Sequence, residues 1–166
     1  SFNTRREKRL RESDSQLSII RELNDIQLTG SLAALVSVLM NLAENAMEAF
    51  ADEPCKIELE VYQQSEYLML VMRDNGPGLS AAQQEKIFQP FYTQREKGTG
   101  LGLAVAQSIV QAHHGDLIVR SQPANGASFY ICLPLNRSEQ FIASGQVKRF
   151  DFEKEKMPMN HKSVSE

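Results

Sequence analysis

The sequence predicts a single mixed α/β domain, and three observations carry that prediction. A helix with a clear apolar stripe starts at Ser31 and leads into an alternating strand, Lys56 to Tyr62. A following strand, Tyr67 to Met72, is apolar on both faces, as a strand deep inside a sheet has to be. A second helix, from about Leu101 to His114, then runs into a hairpin of two further strands. The 166 residues suffice for one domain with ends to spare and leave no room for a second enzyme domain.

Taken in chain order, Ser1 to about Asp14 is highly charged and reads as a linker. Residues 15–135 alternate ordered patterns with Gly-rich loops and form the domain, and residues 136–166 return to scattered charge, expected as a polar, flexible tail. Within the tail, Gln146 to Phe152 has the composition for a strand or short helix. Gln16 to Leu23 reads as a first strand and Ile26 to Leu28 as a hairpin-like second. Ser31 caps a helix whose apolar residues Leu32, Leu35, Val36, Leu39, Leu42, Ala46 and Phe50 recur at helical spacing. In Lys56 to Tyr62, Ile57, Leu59 and Val61 alternate with Lys56, Glu58 and Glu60, which leaves one wet face. The doubly apolar strand should deliver Asp74 just beyond its end. Ser80 and Gln83 make a capping box for a short helix through Phe88. A polar loop, Tyr92 to Gly98, precedes the second long helix, for which Gly115 is the expected C-terminal stop. Asp116 to Ser121 and Ala127 to Leu133 make the last hairpin, around Pro123, Asn125 and Gly126. No internal repeat is present.

Composition narrows the function. The apolar share of 42% is that of a soluble domain, and no uninterrupted apolar run is long enough to span a bilayer. Ser1 to Asp14 lacks the apolar core of a secretory signal, so a cytoplasmic location is expected. Cys55 and Cys132 are too few for a disulfide framework or a four-cysteine zinc site, and both read as small apolar residues near strands. A net charge of -3 offers no footprint for nucleic acid, although Arg5, Arg6, Lys8, Arg9 and Arg11 cluster beside Glu7 and Glu12.

Three places carry chemistry. Asn41 and Asn45 lie four apart on one face of the first long helix, at the rim of its apolar stripe. Two amides there suit a hard cation and the phosphates attached to it, and equally suit a plain polar flank. Asp74-Asn75-Gly76-Pro77-Gly78 is a tight turn directly after a buried strand. It lets backbone approach a flat ligand, and its carboxylate can accept a hydrogen bond from the exocyclic amine that adenine has and guanine lacks. Gly98-Thr99-Gly100-Leu101-Gly102-Leu103 places glycines at a helix start, where free N–H groups and the positive helix end cradle phosphate. It has no Gly-Lys-Ser/Thr ending and follows a loop instead of a strand, which excludes the P-loop and the dinucleotide fingerprint.

In order and spacing, Asn41-Leu42-Ala43-Glu44-Asn45-Ala46, Asp74-x-Gly76-x-Gly78, Phe88-Gln89-Pro90-Phe91 and Gly98 to Leu103 resemble the N, G1, F and G2 boxes of the sensor histidine kinases. The resemblance spans about Leu17 to Leu135. Phe91-Tyr92-Thr93 and His113-His114-Gly115 look most like the nitrogen-regulatory and flagellar-regulatory branch. It implies a two-layer α/β sandwich of the Bergerat type: a mixed sheet of about five strands, about three helices on one face, and a flexible lid over ATP. By this likeness Asn45 binds magnesium, Asn41 supports the phosphates, and these two amides are the catalytic pair. Asp74 takes the adenine amino group, and Gly76 and Gly78 shape the base pocket. Thr99, Gly100, Leu101, Gly102 and Leu103 bring the lid end to the phosphates, and Lys97 and Arg95 reach toward the γ-phosphate. Ser128 falls where the family often has a threonine near adenine. Phe88 and Phe91 anchor the lid base or fill the core beneath it.

Related ATPases of this fold carry a water-activating acid four residues before the magnesium-binding Asn, where this chain has Asn41, which cannot act as a base. Slow hydrolysis is therefore expected, with the γ-phosphoryl kept for a protein acceptor. Family members carry that acceptor histidine on an upstream helical hairpin, whereas the first histidine here is His113. His113, His114 and His161 are poor candidates for the role. The implied partners are thus ATP with Mg2+, a separate helical dimerisation and phospho-acceptor domain, and a response regulator downstream. This chain alone is expected to be monomeric and the whole protein a homodimer. Two rival functions stay open, a serine kinase of the anti-sigma type and a nucleotide-sensing binding module without transfer.

Overall fold

A computed structural model describes residues 16–22, 28–50, 54–93, 98–135 and 150–154. In chain order these form β1 (Gln16–Glu22), α1 (Leu32–Ala49), β2 (Lys56–Gln64), β3 (Tyr67–Asp74), α2 (Ala81–Gln84), α3 (Gly102–Ala112), β4 (Asp116–Ser121) and β5 (Ala127–Pro134). The sheet runs β1-β2-β3-β5-β4. Its first pair is parallel, with α1 as the crossover, and the other three are antiparallel. The doubly apolar strand β3 is the middle one, with Leu68, Met69, Val71 and Met72 buried. It runs on past Met72, so Asp74 is its last residue where the sequence reading put it just beyond the strand's end. Of the hairpin-like strand expected at Ile26 to Leu28, Ile26 and Gln27 lie outside the described residues, and Leu28 is not in a strand.

Helix α1 begins as its sequence indicates: the Ser31 hydroxyl accepts the Ala34 N–H at 3.2 Å. Its buried face is centred on Val38, Leu42 and Ala46, at i, i+4 and i+8. That corrects the apolar stripe read from the sequence, because Leu32 and Val36 are largely exposed while Val38 is fully buried. Periodicity alone could not choose between Val36 and Val38; contact with the sheet does. The capping box of α2 is present, with reciprocal Ser80 and Gln83 bonds, but the helix stops at Gln84 and continues to Phe88 only as turns.

Helix α3 ends differently from expectation. The left-handed residue that breaks it is His114, at φ 59°, and Gly115 has no positive φ. Gly115 is needed because a Cβ there would sit 2.4 Å from the Cys132 carbonyl oxygen, so this glycine serves close helix-to-strand approach. His113 fastens the two long helices together. Its Nδ1 donates to the Ile109 carbonyl at 2.8 Å and its Nε2 accepts the Ser31 N–H at 3.0 Å. A built Cβ at Gly102 would lie 4.0 Å from Asn41 Cγ, at the other end of the pair. The helices therefore run antiparallel, with their register pinned at the end remote from Asn41.

The main core lies between α1, α3 and one face of the sheet, where Leu42, Val110, Phe129, Ile131 and Leu133 are almost wholly buried. Ile87 and Phe88 join it from the segment after α2, and Phe88 meets Phe129 edge to face at 6.5 Å. Cys55 belongs to this core, and Cys132 lies on the opposite sheet face with Met69, Val71, Tyr130 and Phe150. Burial pushes the Cys55 thiol up to about 11 and raises that of Cys132 as well, so both thiols resist ionisation in the folded state. Leu42→Ala, at the centre of the α1 face, is expected to cost about 2–5 kcal/mol in chemical denaturation, because the packed helix cannot collapse onto the lost methyl groups.

Candidate functional site

Asn41, Glu44, Asn45 and Glu48 recur at i, i+3, i+4 and i+7, so α1 presents them as one polar strip beside its buried face. All four line a cleft of about 480 Å³. The opposite walls are Pro77, Gly78 and Leu79 from the turn after β3, Gln83 and Ile87 from the α2 region, and Gly98 to Gly100 with Gly102 and Leu103 at the start of α3.

The turn after β3 is held by Asp74 from behind. Its Oδ1 accepts the Gly76 N–H at 2.9 Å and the Ala127 N–H at 3.2 Å, which ties the end of β3 to both the turn and β5. Its other oxygen has no hydrogen-bond partner among the described residues. Burial raises the carboxyl pKa above its ordinary value, and the two backbone N–H bonds oppose that rise. Gly78 takes φ 71°, and a Cβ on it would stand 2.0 Å from the Gln122 carbonyl oxygen. Only glycine fits there.

At the third wall, α3 starts without a side-chain cap, so its first N–H groups remain available to an anion at the cleft. Gly100 adopts φ 66°, where a Cβ would press within 2.5 Å of the Phe91 carbonyl carbon. That contact belongs to a closure: the Phe91 N–H donates to the Gly100 carbonyl at 3.0 Å, joining the two ends of the Tyr92 to Thr99 loop. Phe91 has a positive φ of 66° and a 76% exposed side chain. Of the two rings expected at the lid base, only Phe88 fills core; Phe91 acts through its backbone.

Asn41, Asn45, Gly78, Thr99, Gly100, Gly102 and Leu103 thus meet at one cleft. Asp74, Gly76 and Leu101 are not among its lining residues; Asp74 adjoins it through its bond to the Gly76 N–H of the turn that supplies Pro77 and Gly78. Lys97 and Arg95 are outside the described residues. Ser128 has to be corrected. It pairs with Arg73 and Arg120 in register and shares the side of Tyr130 and Cys132, the face without helices. The position next to Asp74 is Ala127, which acts through its N–H. Sequence reading also missed Glu44, Glu48, Gln83 and Ile87 as lining residues. The helical spacing of the two glutamates with the asparagines was the available signal.

Asparagine amides, an uncapped helix start and a carboxylate-backed glycine turn around one cleft define a nucleotide-binding domain on a mixed sheet. The chain belongs to the family described as histidine kinase-, DNA gyrase B- and HSP90-like ATPases, which it matches over residues 30–137. It is 39% identical over 126 residues to signal transduction histidine-protein kinase AtoS of Escherichia coli strain K12, covering 75% of this chain and 19% of that one. It is 38% identical to the alginate biosynthesis sensor protein KinB of Pseudomonas aeruginosa, covering 72% of this chain and 20% of that one. The chain therefore spans about a fifth of the length of these relatives. Among solved structures, the catalytic domain of histidine kinase ThkA superposes with a TM-score of 0.68 at 27% identity, over 77% of this chain and 84% of that one.

The raised pKa of Asp74 has a stability consequence. Its ionised form is disfavoured in the folded state, so folding is penalised above the raised pKa and the penalty disappears below the ordinary value. Asp74→Asn keeps an oxygen for both N–H groups and removes the charge. The variant is expected to melt at or above the parent temperature at neutral pH without nucleotide, with the difference vanishing in acid, as scanning calorimetry would record.

Proposed function

We propose that this chain is the ATP-binding catalytic domain of a two-component sensor histidine kinase. It binds Mg-ATP and passes the γ-phosphoryl group to a histidine on a separate helical domain, for relay to a response regulator. The convergence of Asn41, Asn45, the Asp74-backed turn and the start of α3 on one cleft carries the reading. Family membership and the sensor kinases among its relatives support it.

In this assignment the free oxygen of Asp74 accepts the adenine amino group, and Pro77 and Gly78 give the base a flat backbone wall. The N–H groups at Gly102 and Leu103 take phosphate oxygens. Among the described residues no three His, Cys, Asp or Glu side chains cluster as a metal cage. The Asn41 and Asn45 amide oxygens suit magnesium, which keeps its waters and is held mostly through the nucleotide's phosphates, with Asn45 as its protein oxygen ligand and Asn41 beside it. Bound magnesium would neutralise charge on the transferring group.

The absence of a carboxylate at position 41 favours transfer to protein over hydrolysis. Glu44 and Glu48 line the cleft, and each is engaged in an interaction of its own. His113 does not suit the acceptor role: both its ring nitrogens are used, and it closes the end of α3 about 16 Å from Gly102. The acceptor is thus assigned to another domain, which pairs the whole protein as a homodimer. We place the domain on the cytoplasmic side, where ATP is supplied.

Mixing the chain with a separately made helical acceptor domain and radiolabelled ATP tests this. Acid-labile label on the acceptor is expected, lowered about 100-fold or more by Asn45→Ala, which removes the magnesium ligand. Nucleotide binding without any transfer would leave a sensing module instead. By calorimetry, Asp74→Asn should weaken ATP binding by about 100-fold or more, because its amide turns a donor toward the adenine amine. Unchanged affinity would remove Asp74 from the base pocket.

A further inference from the structure

Among the described residues helices cover one face of the sheet, and the other face divides into two halves. Near Asp74 it is polar, with Arg73 bridging Glu58 at 3.3 Å and Glu60 at 2.7 Å. Toward the other end of β3 it is apolar: Met69, Val71, Tyr130 and Cys132 are all buried, with Tyr62, Tyr67 and Ile118 around them. A sheet face left to water carries polar residues at these alternate positions, so this half is built to be covered.

What covers it is a short stretch near the C-terminal end of the chain. Phe150 is buried on the patch, meeting Tyr67 edge to face at 5.2 Å, and Phe152 stacks edge to face on Phe150 at 4.9 Å. The Arg120 guanidinium, projecting from the same face of β4, donates to the Phe152 carbonyl at 2.9 Å. Between the rings, Asp151 accepts the N–H groups of Glu153 and Lys154, both at 3.1 Å, which turns the segment back after the second ring. We infer that the helix-free half-face is a docking surface for an aromatic-acidic-aromatic segment, and that this chain's own Phe150-Asp151-Phe152 fills it in cis as a strap. The strands supplying the surface lie within the matched residues 30–137, and the strap lies beyond them. The inference is independent of the acceptor proposed above, because the cleft opens on the other side of the sheet.

The two cysteines offer a direct test in the full chain, since Cys132 lies under the strap and Cys55 in the helix-side core. Thiol labelling would be followed separately at each by mass spectrometry. Phe150→Ala is expected to speed labelling of Cys132 by about tenfold or more while leaving Cys55 unchanged. A peptide of residues 146–154 added to that variant should restore protection, and a scrambled peptide should not. Affinity for an ATP analogue should stay within about twofold of the parent. Should Phe150→Ala not fold, Arg120→Gln removes only the bond to the Phe152 carbonyl and should speed Cys132 labelling by about threefold. The proposal is overturned by unchanged Cys132 labelling in the folded variant, by both cysteines accelerating together, or by a peptide that restores nothing.

Discussion

The site depends on one carboxylate oxygen holding two strands and a turn together. Asp74 Oδ1 takes N–H groups from Gly76 and Ala127, so the end of β3, the glycine turn and the start of β5 are fixed relative to one another. The Gly126 N–H on the Gly76 carbonyl, the Ala124 N–H on the Pro77 carbonyl and the Leu79 N–H on the Ser121 hydroxyl hold the same turn from its other side. The Asp74 tie also offsets part of the electrostatic cost of burying the carboxyl: one oxygen carries both backbone bonds, and the other has no hydrogen-bond partner among the described residues. Stability and recognition thus pull on the same side chain in opposite directions, which is common where a site is pre-organised before its ligand arrives.

The second wall is set by helix packing. Asn41 and Asn45 are useful only if α1 is rotated so that Val38, Leu42 and Ala46 enter the core and the amides stay at its rim. Antiparallel packing on α3 then brings Asn41 to Gly102, while the His113 imidazole pins the far end through one donated and one accepted hydrogen bond. Helix α1 is long and apolar enough to cross a bilayer by length and composition, yet its polar strip and its buried face show it to be a core helix of this sandwich.

Local signals were legible where chemistry is local. The Ser31 cap, the Ser80 and Gln83 box, the doubly apolar β3 and the β4–β5 hairpin all follow from residues close in sequence. The glycines at 78 and 100 were legible for the same reason, since a positive φ leaves few other choices. Long-range choices were not. Whether Val36 or Val38 faces the sheet depends on what α1 packs against. Ser128 was placed on the wrong face because a shift of one residue along a strand reverses the side chain's direction. Phe91 was expected either to anchor the lid base or to fill the core; its ring is exposed, and its backbone N–H ties Gly100. Gln146 to Phe152 had the composition for a strand or short helix; of it, residues 146–149 lie outside the described residues and Phe150 to Phe152 form neither, their place being set by the apolar face of β3 that no local pattern names.

The bond between the Phe91 N–H and the Gly100 carbonyl reaches beyond its own turn. It pinches off the residues between as a separate chain loop whose two feet are clamped together, so the span can lengthen or shorten without moving the floor on which it stands. Loop closure makes each added residue cheap, because the entropy of joining the ends grows only with the logarithm of length. Homologous chains should therefore be free to vary the length of this span while the framework beneath keeps its dimensions.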